Sequence, residues 1–133
     1  MSQENRKLVH RVTEAFNGHD FDAVLSLLHP DIEYSSRIVE VEGGGPYRGH
    51  DGIRRWWRDL FAVFPDFHAE IEEIKDLGDL TLTRVRQHTG GMDKDSPADQ
   101  TQWHLSEWCD GKVVRWQVFI SEDEALKAAG LSE

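Results

Sequence analysis

The chain has 133 residues, with 25 acidic against 15 basic side chains and a formal net charge of −10; its isoelectric point is near 5.1. That length predicts one domain, residues 1–133, large enough to bury a core. The acidic balance argues against a nucleic-acid partner, whose affinity rests on Lys and Arg contacts to phosphate. Cys109 is the single cysteine, so a disulfide scaffold and a cysteine zinc site are excluded, and a free thiol suits a reducing compartment. The opening MSQENRKL lacks the apolar core of a signal peptide, and no apolar run approaches the ~20 residues needed to cross a bilayer. A cytoplasmic protein without a membrane partner is expected.

In chain order, Leu8, Val9, Val12, Ala15 and Phe16 fall at helical spacing, which predicts an amphipathic helix from Ser2 to Asn17 ended by Asn17-Gly18. Asp20 can cap a second helix, Phe21 to Leu28, stopped by Pro30. Alternation then predicts a strand from Asp31 to Val41, with Ile32, Tyr34 and Ser36 on one face. EGGGPYRGHDG reads as a loop from Glu42 to Gly52. Its three glycines lack the Lys-Ser/Thr pair of a phosphate-binding loop. Asp51 can cap a third helix, Gly52 to Phe64, whose stripe of Ile53, Trp56, Trp57, Leu60, Phe61 and Phe64 needs a large apolar surface to bury against. Pro65 ends it. Strands follow from Phe67 to Asp76 and from Leu80 to Thr89, then a loop through GGMDKDSPADQ. Ser121 can cap a terminal helix, Glu122 to Ala129, closed by Gly130.

The most informative stretch is QWHLSEWCDGKVVRWQVFI, Gln102 to Ile120, which carries three of the five tryptophans. Two strand-like runs flank Asp110-Gly111, a strong hairpin signal. A two-residue loop would pair Leu105 with Trp116, and a three-residue loop with Gly111 in the left-handed conformation would pair His104 with Trp116. A slip of one residue moves every side chain to the other face. The three-residue register is the expected one: it keeps Lys112 at the strand start and gathers Gln102, His104, Trp116, Val118 and Ile120 on one face. Trp103, Leu105, Gln117 and Phe119 take the other.

Two helices, a strand, a third helix and four hairpin-connected strands predict an α+β fold, a curved antiparallel sheet with helices packed on one face. That order, together with NGHDFDAVLSLLHPDIEY, PYRGHDGIRRWW, FPDF and DGKVVRWQVFISEDEALKAAGL, resembles the SnoaL-like polyketide cyclase group of the nuclear-transport-factor-like superfamily, which also holds ketosteroid isomerases and limonene-epoxide hydrolases. The resemblance covers essentially the whole chain. It implies a cone in which the sheet curls around a deep apolar pocket covered by helices, and often a homodimer. Residue by residue, it puts Tyr34 where the isomerases carry a carboxylate base, Val12 where they carry a tyrosine donor, and His104 where they carry a neutral acid. The late-strand aspartate of the cyclases has no counterpart in WQVFISED.

The resemblance assigns Phe16, Tyr34, Trp57, Phe61, Trp116, Val118 and Ile120 to the pocket, with His104, Gln102 and His88 as polar groups. Such a cavity suits a flat, mostly apolar molecule bearing a carbonyl or hydroxyl. If there is chemistry, it is cofactor-independent isomerase, cyclase or lyase chemistry, with His104 as the acid/base, since an unperturbed imidazole titrates near neutral pH, and Tyr34 orienting the substrate or polarising its oxygen. The alternative is a non-catalytic ligand-binding or dimerisation module in which His104 is structural. The seven histidines form no His-x-x-x-His with glutamate and no cluster, so neither a metal nor a cofactor is expected. On the outer sheet face, Trp103, Leu105, Val85 and Phe119 would make an apolar patch, and such a patch predicts a homodimer through that face.

Overall fold

The computed structural model describes residues 2–36, 46–89 and 100–130. The continuation of the first strand beyond Ser36, the triple glycine and most of the loop before Gln100 lie outside the described residues.

Helix α1, Ser2–Asn17, runs as the apolar periodicity predicts. It ends in a Schellman motif: Asp20 N–H donates to Ala15 O and His19 N–H to Phe16 O. The left-handed position is His19, with φ 58, and not Gly18. Helix α2 is shorter than the sequence suggests, Phe21–Ser26, with the Asp20 side chain accepting from Ala23 N at its start. Leu28 and Pro30 belong to strand β1, Leu28–Ser36, and not to a helix and its stop. Proline is tolerated there because the β1 ladder is interrupted between Leu28 and Glu33, where no partner needs its missing N–H.

Strand β2 is the pair Tyr47–Arg48, and helix α3 follows at once, Gly49–Val63. It starts three residues before the expected boundary. Arg48 holds the N-cap position without a side-chain cap bond, so Asp51 lies inside the helix. Strands β3, His68–Asp76, β4, Leu80–His88, β5, Gln100–Cys109, and β6, Lys112–Phe119, complete the sheet, and the Ser121-capped helix α4, Glu122–Ala128, ends the described chain.

The six strands lie in the order β2-β1-β6-β5-β4-β3. All neighbours are antiparallel except β1 and β6, which are parallel. Register shifts in β3 at Ile71–Glu73 and between β5 and β6 each add one residue to one strand, and the interruption between Leu28 and Glu33 gives β1 three more residues than the facing stretch of β6. Bulges of this kind bend and twist strands, which is how an open sheet curls into a cone wall.

Helix α1 lies along β3 and supplies the partners that an edge strand otherwise lacks. Asn17 Nδ2 donates to Ala69 O at 2.8 Å while Asn17 Oδ1 accepts from Ala69 N at 2.8 Å, the two bonds another strand would have made. Farther along the edge, Arg6 donates to Ile74 O and Asn5 to Gly78 O.

The main core fills the concave side, where α1, α2 and α3 meet the sheet around Phe16, Leu28, Ile32, Ile53 and Val118. A second cluster sits on the opposite face, where α4 lays Ala125 against Leu82, Leu105 and Phe119. Helices therefore cover both faces rather than one. Leu105 and Phe119, two residues of the anticipated outer patch, are largely buried in the single chain by α4. Val85 is not on that face at all: it pairs with Gln102 and points into the cone.

Candidate functional site: an aromatic cavity with a polar end

The β5–β6 hairpin decides what faces the cavity. Its turn is the two-residue kind, Cys109 opposite Lys112, with Asp110 at φ 54 and Gly111 at φ 77, the paired left-handed conformation of a type I′ turn. A bulge follows at once: Trp108 pairs with Val113, and Glu107 with Arg115, so Val114 is the extra residue. Beyond the bulge His104 pairs with Val118 and Ser106 with Trp116. The expected pairing of His104 with Trp116 is thus displaced by two residues. Because two is the period of a strand, the predicted faces survive, and Gln102, His104, Trp116 and Val118 all point to the concave side.

That side encloses a cavity of about 590 Å³, within the range of small-molecule sites. Phe16 of α1, Trp56 and Leu60 of α3, Phe64 at the C-cap of that helix, Phe67, Tyr34 of β1 and Trp116 of β6 supply its aromatic and apolar lining. The rings interlock, with Tyr34 edge-on to Trp116 at 4.7 Å, Trp56 edge-on to Trp116 at 5.3 Å, and Phe16 stacked on Trp56 at 5.9 Å.

The polar groups collect on the strands at one end. Trp116 Nε1–H donates to His104 Nδ1 at 3.0 Å, and His104 Nε2 lies 3.1 Å from Gln102 Oε1 and 3.2 Å from Gln87 Nε2. An indole nitrogen can only donate, so Nδ1 is the unprotonated nitrogen and the neutral ring carries its proton on Nε2, which donates to Gln102 Oε1. Burial lowers the His104 pKa from 6.5 to about 4, so the ring is neutral at neutral pH. The near-neutral titration that suggested an acid/base role does not hold in this setting. The free Nδ1 lone pair a base would use is engaged by Trp116.

Tyr34 is buried, and desolvation pushes its hydroxyl pKa far upward, partly offset by hydrogen bonds to the phenolic oxygen from Trp56 and Ser36. It stays a neutral phenol. Asp59 is the one charged side chain among the described residues that line the cavity, and it is exposed to solvent. No three His, Cys, Asp or Glu side chains among the described residues converge as metal ligands.

Of the residues expected in the pocket, Phe16, Tyr34, Gln102, His104 and Trp116 line this cavity together. Five others do not. Trp57 and Phe61 occupy the neighbouring ridge of α3, where they pack on Phe21 at 5.0 Å and His19 at 4.4 Å; the α3 stripe is broad enough for one ridge to line the cavity and the other to join the core. Val118 points inward but is 2% exposed within the core. Ile120 lies past the end of β6 and is 52% exposed. His88 faces outward, stacked on His68 at 4.7 Å and within 3.1 Å of Glu70, since it follows Gln87 in the strand and takes the opposite face.

Gln87 and Trp56 were missed. The signal for Gln87 was its shared alternation with Thr83 and Val85: a polar amide on a face that must be buried marks a specific polar contact. Trp56 was assigned to the helix stripe, and which ridge of a stripe borders open space is set by tertiary packing.

Fold and cavity together define a cone of the nuclear-transport-factor-like class. The SnoaL-like domain family matches residues 9–116, and the chain belongs to that family. Three solved structures share the fold. TerC, co-crystallised with polyporic acid, is 21% identical, with a TM-score of 0.75 over 93% of this chain and 96% of that one. An NTF2-like protein of unknown function from Burkholderia pseudomallei is 21% identical, with a TM-score of 0.76 over 93% and 95% of the two chains. A candidate polyketide cyclase from Sinorhizobium meliloti is 21% identical, with a TM-score of 0.70 over 84% and 93%. No curated protein matches the chain. No helix among the described residues is long and apolar enough to cross a membrane.

Proposed function

We propose that this protein binds a flat, mostly apolar small molecule bearing a carbonyl or hydroxyl oxygen, seated against the aromatic lining with its oxygen toward Gln102 and Tyr34. The observation that carries this reading is the cavity itself, about 590 Å³, walled by Phe16, Trp56, Phe67 and Trp116 and polar at one end. Aromatic faces stack well on planar rings, and a few convergent polar groups in an apolar cavity fix orientation. Co-crystallisation of TerC with polyporic acid is consistent with a ligand of this shape.

Catalysis of the isomerase, cyclase or lyase kind is the finer reading. Neutral donors at the polar end are suited to stabilising an oxyanion. Proton abstraction by His104 would require Trp116 to release Nδ1 first. Binding with polarisation of the ligand oxygen is therefore the better-supported role, and His104 acts in it by holding the Gln102 amide in place.

Thermal stability in the presence of steroids, aromatic polyketides, terpenoids and their epoxides tests the reading. A ligand at 100 times its Kd stabilises the native state by about 2.7 kcal/mol. Stabilisation by at least one planar class, lost in Trp116→Ala, is the expected result. No shift from any of them, with a lower melting temperature in His104→Ala, would mean a packed core and favour an interaction module.

We propose as well that the protein is a cytoplasmic homodimer paired through the outer sheet face. The support is Trp103, a large aromatic side chain left partly exposed beside the α4 cluster on that face, for the dimer, and an exposed free thiol at Cys109 for the compartment. Light scattering giving the mass of a single 15.3 kDa chain at micromolar concentration would refute the dimer.

A further inference from the structure

The Trp116–His104 bond has a consequence for the ligand. With Nδ1 accepting from Trp116, the proton on Nε2 must be received by an oxygen, and Gln102 Oε1 receives it. The Gln87 amide is subject to the same constraint. With Nε2 turned toward the ring, 3.2 Å away, two N–H groups would face each other, while Gln87 Oε1 is left buried without a partner. Rotating that amide by half a turn removes the opposition, because Oε1 then shares the His104 proton, and turns Gln87 Nε2 into the buried place away from the ring. The imidazole and both amides beside it are thereby fixed in direction by one indole N–H, which cannot be reversed. Gln102 Nε2 is the donor left toward the cavity: it has no partner among the described residues, Gln102 lines the cavity, and unlike the far end of the Gln87 amide it is not sealed from it.

Building on the ligand-binding reading above, we infer that Gln102 is a specificity-determining residue that presents only N–H donors to the cavity, and that Trp116 and His104 are positioning residues that lock it in that direction. A free glutamine amide can turn either its oxygen or its nitrogen toward a ligand and is indifferent to the ligand's polarity. A locked one is not. The ligand's oriented group is therefore an acceptor, a ketone, quinone or ester oxygen, and a ligand that presents an N–H at that place leaves two donors opposed. No cation among the described cavity residues accompanies Gln102, so the acceptor is neutral, because an unpaired buried carboxylate carries a large desolvation cost.

Three tricyclic probes of nearly one shape separate these properties: 9-fluorenone offers an acceptor, carbazole an N–H donor and fluorene neither. Dissociation constants are measured by equilibrium dialysis. In the wild type, fluorenone binds about five- to tenfold tighter than fluorene, the worth of one net neutral hydrogen bond, and carbazole binds no better than fluorene. Gln102→Leu removes the preference for fluorenone over fluorene. Trp116→Phe frees His104 Nδ1 and lets the amide turn, so carbazole gains on fluorenone, a change of selectivity that mere loss of packing would not produce.

Equal binding of fluorenone and carbazole by the wild type overturns the inference and leaves the cavity reading standing, and so does a fluorenone preference that survives Gln102→Leu. Failure of all three probes to bind removes the cavity reading and this inference with it. If the variants do not fold, nitrogen-15 NMR of the wild-type His104 ring decides: protonation on Nε2 is expected, and protonation on Nδ1 overturns the lock.

Discussion

Lowering the pH should destabilise this protein through His104 in a way that can be isolated. Its pKa falls from 6.5 in the unfolded chain to about 4 in the native state because burial disfavours the imidazolium. Between those values the unfolded state binds a proton that the native state refuses, so stability is intact above 6.5 and is lost progressively as the pH drops toward 4. A difference of that size corresponds to roughly 3 kcal/mol. The ring borders a cavity that water can enter, and screening reduces the expected contribution to about 1–3 kcal/mol. Carboxylates titrate over part of the same interval, so the informative quantity is the wild-type profile minus that of His104→Gln, in which they cancel. Urea unfolding at intervals from neutral pH to 4 supplies both curves. The wild type should fall more steeply, with the excess slope confined to the interval between the two pKa values. Parallel curves would mean that His104 protonates as readily in the native state as in the unfolded chain, and the assignment of a fixed neutral tautomer would fail.

Three further substitutions probe how the scaffold holds the cavity open. Asn17→Ala removes both 2.8 Å bonds to Ala69 on the edge strand and should cost about 2 kcal/mol in urea unfolding, with faster amide exchange at Ala69; an unchanged midpoint would refute the edge-sealing role of α1. Gly52→Ala should destabilise by about 1 kcal/mol, although alanine ordinarily favours a helix by a similar amount. The added Cβ would lie 3.0 Å from the Tyr47 carbonyl carbon, and that backbone is held by pairing with Tyr34, so a gain in melting temperature would show that β2 can yield. Trp108→Phe loses the 2.9 Å bond to Thr81, whose side chain is fully buried, and a loss of about 2–3 kcal/mol in chemical denaturation is expected; a loss below ~0.5 kcal/mol would mean that the hydroxyl finds another partner.

Most of the fold was legible because amphipathic periods and turn chemistry are local. The 16 residues of α1, the caps at Asp20 and Ser121, and the hairpin at Asp110-Gly111 all follow from neighbours in sequence. The errors came where a distant contact overrides a local signal. Proline at position 30 reads as a helix stop, yet it falls in a strand whose ladder is broken opposite it. Asp51 is a good cap by type, but the Tyr47–Arg48 strand runs directly into α3 and starts the helix earlier. The terminal helix was anticipated, but alternation along β5 and β6 gives no sign that this helix folds back over Leu105 and Phe119.

The site shows the same division more sharply. Alternation placed Gln102, His104 and Trp116 on one face even though the turn type was wrong, because the shorter turn and the bulge at Val114 together preserve the strand's two-residue parity. What alternation cannot convey is which side-chain atoms meet. A histidine near aromatic residues looks like an acid/base until an indole N–H is found on its Nδ1. From that bond follow the tautomer, the direction of the Gln102 amide and the preference for an acceptor. The chemistry of this cavity is thus set less by the pKa of an isolated imidazole than by the one group in the cluster that can only donate, Trp116.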